Sequence, residues 1–347
     1  MQKTLIDTLS AVGKPPRLHE TPDGTTVLIL PHGGRVLGLF APHSEENFYW
    51  THPALASAES AAKFYQSSEW HNSGGDRTWL APEVDFFFPN YPKTDVYWQP
   101  REFDPGNYRV IEDGDGERLV NRAKCLLSRS KTQVEVEIAK SIAPAPNPLR
   151  FERNLIDLPV EYAGYTQCTS LAFLSGSDPV GLWNLIQMPH GGELLVPTYV
   201  KSEPKLVFGK MGPDDLQVSD RLIRYRMRAD GEQKIAVRAL AVTGRIGYLY
   251  PTADDRWALI VRNVCLNPSG LYVDVPWDDP DDFGYAIQAC HVNSALGCFS
   301  ELEYHVPAVG PGTDRTRCED VAQVWAFRGR REAIQSVAQG LLCPEPW

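Results

Sequence analysis

The sequence predicts an all-β fold, a large antiparallel two-sheet β-sandwich with short peripheral helices. Short apolar or alternating runs recur along nearly the whole chain, and no regular helical pattern separates them. Twenty-eight prolines and 27 glycines punctuate those runs, as a sheet-rich fold with short connections requires. No stretch reads as an interdomain linker and no repeat of solenoid length is present, so residues 1–347 are expected to form a single domain.

Taken in order, Leu5, Ile6, Leu9 and Val12 stand at helical spacing and open the chain with a short helix. Thr25–Leu30 and Arg35–Phe40 read as strands joined by the turn His32-Gly33-Gly34. Asn47–Trp50 reads as a short aromatic edge, and the Ala-rich stretch 56–66 as one helical excursion. Beyond it, Tyr108–Glu112 and Arg118–Leu127 flank Asp113-Gly114-Asp115-Gly116, a hairpin signal. Gln133–Ala139 alternates strictly, which gives one wet and one buried face. Further strand runs lie at 166–174, 194–197, 221–227, 234–237, 247–250 and 257–262. The last strands are expected at 285–291, 298–305 and 321–327, before a closing helix at 331–341.

Composition narrows the function. Hydrophobic residues make up 43% and charged residues 22%, ordinary globular values. A net charge of −10 opposes nucleic-acid binding, which needs an excess of Lys and Arg, and suits neutral or cationic small molecules. The seven cysteines are odd in number and form no CxxC, so buried free thiols in a reducing compartment are expected rather than disulfides or a zinc ribbon. The amino terminus lacks a signal peptide's apolar stretch and no window reaches membrane-spanning length. A cytoplasmic protein without a membrane partner is expected; the sequence leaves its oligomeric state open.

Three separated segments resemble the galactose mutarotase-like superfamily. The first is His32–Leu39 followed by Glu46-Asn47-Phe48-Tyr49-Trp50; the second is Gly74–Glu83. The third is Phe299-Ser300-Glu301-Leu302-Glu303 with Pro311-Gly312 and Trp325-Ala326-Phe327. The resemblance implies a β-supersandwich of the aldose 1-epimerase type, a small-molecule carbohydrate as ligand, and a late strand presenting a catalytic glutamate, Glu303. One departure stands out. Where sugar mutarotases carry a histidine in an Asn-x-His context, this chain has Asn184 followed by Leu185 and Ile186, and the nearest histidine is His190.

Mutarotation needs a base for the anomeric hydroxyl proton and an acid for the ring oxygen, roles that a carboxylate and an imidazole can share. Glu303 is the candidate base and His190 the candidate acid, with a simple turn histidine as the plainer alternative for the latter. Strand alternation puts Glu301, Glu303 and His305 on one face. Three ionisable groups are costly to bury together, so that face is expected to line a cleft or solvent. Paired Gly74 and Gly75 allow close backbone approach, Arg77 offers a planar fork, and Asp76 accepts from hydroxyls. With His71 and Trp79 nearby, and Trp183, Gln187 and Glu301 on adjoining strands, these form the expected sugar-binding wall. The alternative is an ordinary loop with an Asp–Arg pair and a packed Trp.

No HxH, HExxH or paired-Cys spacing is present, so no metal is expected, although His71, Asp76, Glu83, His190 and Glu303 are the residues that would supply one. Walker, strand-borne GxGxxG and GxSxG motifs are lacking too, and no cofactor is expected. A non-catalytic sugar binder and a lyase or hydrolase on the same scaffold remain alternatives.

Overall fold

Alternating and fully apolar strand runs need two packed faces to bury them, and the chain forms two antiparallel sheets. The computed structural model describes residues 2–113 and 116–343. One sheet has nine strands in the order Arg17–Glu20, Thr26–Leu30, Arg35–Phe40, Asp76–Ala81, Gly181–Pro189, Gly297–His305, Ile287–Ser294, Gly231–Val237 and Lys205–Phe208. The other has ten, in the order Leu216–Val218, Leu222–Arg226, Glu193–Pro197, Arg245–Pro251, Trp257–Asn263, Arg317–Gly329, Val160–Ser175, Gln133–Pro144, Gly116–Leu126 and Arg109–Asp113. The main core lies between them, with Ile186, Leu302, Ile235 and Ile287 from the first sheet near Tyr165, Val324, Ile260 and Leu194 from the second.

The helices are peripheral. Gln2–Ala11 and Ala58–Gln66 bury Leu5, Leu9 and Ala61 against Leu28, Leu30, Leu37 and Phe40. The closing helix Arg331–Leu342 lays Ile334, Val337, Leu341 and Leu342 over the ten-stranded sheet at Leu195, Leu249, Leu259 and Phe327. Among the described residues no helix is long and apolar enough to cross a membrane.

Several expectations need correction. Asp76–Ala81, which is absent from the expected strand runs, is a fully buried strand, and this excludes the alternative of an ordinary loop. Asn47–Trp50 is not a strand: the Asn47 side chain accepts from the backbone N–H groups of Leu39 and Tyr49 and donates to the Leu37 carbonyl, which folds the segment back as a loop. The flanks of the Asp113–Gly116 turn pair as expected, while Gly114 and Asp115 lie outside the described residues. All seven thiols are free, but Cys265 and Cys298 are exposed.

Gly74 and Gly75 have positive φ values of 98° and 73°. A Cβ there would collide with the Trp50 and Val36 carbonyl oxygens, so the pair serves close approach of the protein's own backbone.

Candidate functional site

Register places the side chains. In a strand they alternate between faces, and directly opposed residues of an antiparallel pair share a face. Arg77, Leu185, Glu303 and Gln288 therefore line up in one row across four strands. A second row holds Gln187, Glu301, Cys290 and Lys234, and a third Trp79, Trp183 and His305. This is the outer face of the nine-stranded sheet. The inner face carries the residues between: the Thr78 hydroxyl donates to Asn184, Tyr304 to Asp320, and Asp76 pairs with Arg262 of the opposite sheet.

The outer face was expected to be open. Instead the chain after Ala81 and the loop before Tyr285 fold over it. Phe87 packs 4.6 Å from Trp79 and 5.6 Å from Trp183, while Tyr97 and Trp277 both donate to Glu83 at 2.8 Å. Asp274 accepts from the Glu83 backbone N–H and from Gln288. Glu303 is 0% exposed as a result, and Glu301, at 7%, is the least buried of its neighbours. Tyr97 forms the outer skin at 37% exposed.

Burying these charges is tolerable only because they pair. Arg77 Nη2 donates to Glu301 Oε1 at 2.8 Å, and Gln187 Nε2 to the same oxygen at 3.0 Å. Lys234 Nζ lies 3.2 Å from Glu83, 3.3 Å from Glu303 and 4.3 Å from the centre of the Trp183 ring. Trp183 Nε1 donates to Glu303 Oε2 at 2.8 Å.

Burial pushes the Glu303 carboxyl up to about 8; Lys234 opposes this, and Glu301 and Glu83 add to it. Asp274 is also raised, by burial against the pull of Lys234. The Lys234 ammonium is raised, because burial is outweighed by Glu303, Glu83 and Asp274. Burial holds His305 well below its ordinary value, with Lys234 assisting, so the ring is uncharged. Burial thus favours the protonated, neutral form of Glu303.

A second acid, Asp104, organises the aromatic wall. It accepts two contacts from Arg35 Nη2 at 2.9 and 3.0 Å, and the indole N–H groups of Trp70 at 2.9 Å and Trp79 at 3.0 Å. Arg77 lies over the Trp79 indole, its guanidinium carbon 4.0 Å from that ring centre and 5.4 Å from that of Trp70. Arg77 Nε and Nη1, Gln187 Oε1, Glu303 Oε1, Gln288 Oε1 and both His305 nitrogens are buried without a hydrogen-bond partner. Unpartnered buried groups cost about 1–3 kcal/mol each. Others, such as Asn184 Nδ2, Gln167 Oε1 and Arg262 Nε, lie between the sheets.

Of the residues singled out in the sequence, Arg77, Trp79, Trp183, Gln187, Glu301 and Glu303 share this face. Three do not. Asp76 points inward, where it pairs with Arg262 at 3.1 Å and accepts from Tyr165 at 2.6 Å. His190 follows the strand end and packs 5.5 Å from His291, whose ring meets Tyr225 of the opposite sheet on the face away from Glu303. His71 turns toward helix Ala58–Gln66, with ring contacts to Phe64 and Tyr65. The sequence reading missed Lys234, Tyr97, Asp104, Asp274 and the part His305 plays, and it named Glu83 only as a metal ligand. Alternation already put His305 beside Glu303; the others sit on cover segments or a distant strand whose register no local pattern reveals.

Cys290, Glu301 and Glu303 bring one ligand-type atom each within 4.8 Å of one another. Lys234 and Arg77 already serve those carboxylates, and burial raises the Cys290 thiol far from thiolate, so the trio is poorly suited to a divalent metal.

No protein-family model matches the chain, and no curated protein does. Solved structures similar to it include a galactose mutarotase-like protein from Lactobacillus casei, at 11% identity and TM-score 0.47, covering 90% of this chain and 99% of that one. A galactose 1-epimerase from Lactobacillus acidophilus is similar at 7% identity and TM-score 0.34, covering 90% and 93%. The alpha-galactosidase from Lactobacillus brevis is similar at 10% identity and TM-score 0.31, covering 91% of this chain and 39% of that one.

Proposed function

We propose that the outer face of the nine-stranded sheet is a carbohydrate site that works by proton transfer, with Glu303 as its central acid–base group. The observation that carries this reading is the meeting of the buried Glu303 carboxyl, whose neutral form burial favours, with the unpartnered Arg77 nitrogens. A guanidinium edge suits hydroxyl oxygens, while the Trp79 and Trp183 faces hold Arg77 and Lys234 in place.

The favoured reaction is interconversion of anomers of a free sugar. Glu303 protonates the ring oxygen as the ring opens while His305 takes the anomeric hydroxyl proton, and both transfers reverse as the ring closes. His305 is the second proton-transfer group in place of His190: it is uncharged, stands two residues from Glu303 on the same face, and its nitrogens make no hydrogen bond, Nε2 lying 3.6 Å from Asp274. The ligand reaches the face by displacement of the cover around Val96, Tyr97 and Trp98, which are 42, 37 and 49% exposed. The whole chain would act as one unit on a small-molecule carbohydrate.

Titration calorimetry with a panel of free aldoses tests the reading. Saturable heat that Arg77→Met abolishes supports it; no heat with any aldose removes it. The cover itself favours a second reading, a sugar-binding protein without turnover, since a site sealed over its acid turns over only as fast as the cover opens.

A further inference from the structure

The outer face holds more acid than base. Arg77 and Lys234 are its cations; Glu83, Asp274, Glu301 and Glu303 are its carboxyl groups. The other titratable groups packed against them carry no charge: burial raises Tyr97 on the cover and Cys290 on strand Ile287–Ser294, and lowers His305. The neighbouring pairs Arg35–Asp104 and Arg129–Asp85 balance themselves. Two cations match two carboxylates, so the remaining two carboxyl groups are compensated by taking up protons or not at all. In a buried site those two carboxyl groups hold protons that a bound cation would displace.

A second observation, independent of the carboxyl groups, points to a ligand. Gln187 is wholly buried; its Nε2 donates to Glu301 and its Oε1 has no donor. Glu303 Oε1 is likewise without one. Glu301, Glu303 and Cys290 Sγ form a cup whose atoms lie within 4.8 Å of one another. The Glu301 and Glu303 oxygens are thus close enough for one bound nitrogen to reach both. An ammonium brings three donors and one positive charge, which answers the acceptors and takes the place of a carboxyl proton. The donors without acceptors, Arg77 Nε and Nη1, answer hydroxyl oxygens on the same molecule.

Resting on the carbohydrate reading above, we infer that the ligand is an amino sugar, its ammonium held between Glu301 and Glu303 beside Gln187 while Arg77 takes its hydroxyls. The protein's own Lys234, an ammonium between Glu83 and Glu303 over the Trp183 ring, shows the same surroundings accepting such a group.

Calorimetry at neutral pH tests this with glucosamine, galactosamine and mannosamine against their parent hexoses and their N-acetyl derivatives, which keep the ring and lose the charge. The amino sugar is expected to bind at least about tenfold tighter than both, the scale of one hydrogen bond to a charged group. Its binding should release protons as Glu303 ionises beside the ammonium, seen in wild-type protein as heat that varies with the buffer's ionisation enthalpy. Glu301→Gln should shrink the amino-to-neutral ratio. Hexoses binding as tightly as amino sugars would overturn the inference and leave the carbohydrate reading standing. No binding by any of the panel would overturn both. A stoichiometric divalent metal in the purified protein, lost in Glu301→Gln, would also overturn it, since the cup would then be a metal site.

Discussion

The Lys234 ammonium stands 3.3 Å from the Glu303 carboxylate, although their strands are separated in the sheet by Ile287–Ser294. Because Lys234 also reaches Glu83, one cation holds two buried acids together. Lys234→Met should cost about 3–5 kcal/mol of stability, the usual result of leaving buried charge without its partner. Urea unfolding measures it, and adding Glu83→Gln to that variant should recover part of the loss.

Glu303 gives the protein a pH signature. Its folded-state value is raised from 4.5 to about 8, so the native state keeps a proton that the unfolded chain has already lost. Its contribution to stability is full below 4.5 and is lost as pH rises toward 8. Across that window Glu303→Gln should gain on the wild type by up to a few kcal/mol, on the scale of about 1.4 kcal/mol per unit. Thermal unfolding of both proteins from pH 5 to 8 reads the difference, which should grow with pH.

Asp104 holds Trp70, Trp79 and Arg35 at once. Asp104→Asn keeps the shape and removes the charge, so Arg35 is left buried without its counter-ion at a cost of about 3–5 kcal/mol. The tryptophan near-ultraviolet circular dichroism should weaken even where the protein remains folded, and sugar affinity should fall with it.

Asp76 and Arg77 are neighbours in sequence with separate effects. Asp76→Asn strips Arg262 of its buried partner and should lower stability by about 3–5 kcal/mol while leaving the affinity of the folded protein intact. Arg77→Met should abolish sugar binding. His190→Ala should change neither binding nor any anomer exchange, because its ring lies with His291 on the far side of the sheet.

The sheets were legible because strand signals are local. Gln133–Ala139 and Cys298–His305 alternate strongly enough that their faces follow from the residues alone, and Glu301, Glu303 and His305 were correctly grouped. Asp76–Ala81 was harder to read, since a strand buried on both faces shows no alternation. Lacking its register, the sequence reading put Asp76 with Arg77, though one residue separates opposite faces. Burial of the outer face was invisible for another reason. It depends on a cover of aromatic and proline-rich chain, residues 82–108, whose docking is set by long-range hydrogen bonds such as Trp277 to Glu83.

Exchange spectroscopy of the α and β anomers of a free aldose or amino sugar that binds the protein tests the central claim most directly. Wild-type protein at pH 7 is expected to exchange anomers faster than the spontaneous reaction, with Glu303→Gln returning the rate to the spontaneous level while still binding sugar. Exchange that stays at the spontaneous rate with wild-type protein, or acceleration that survives in Glu303→Gln, would contradict it.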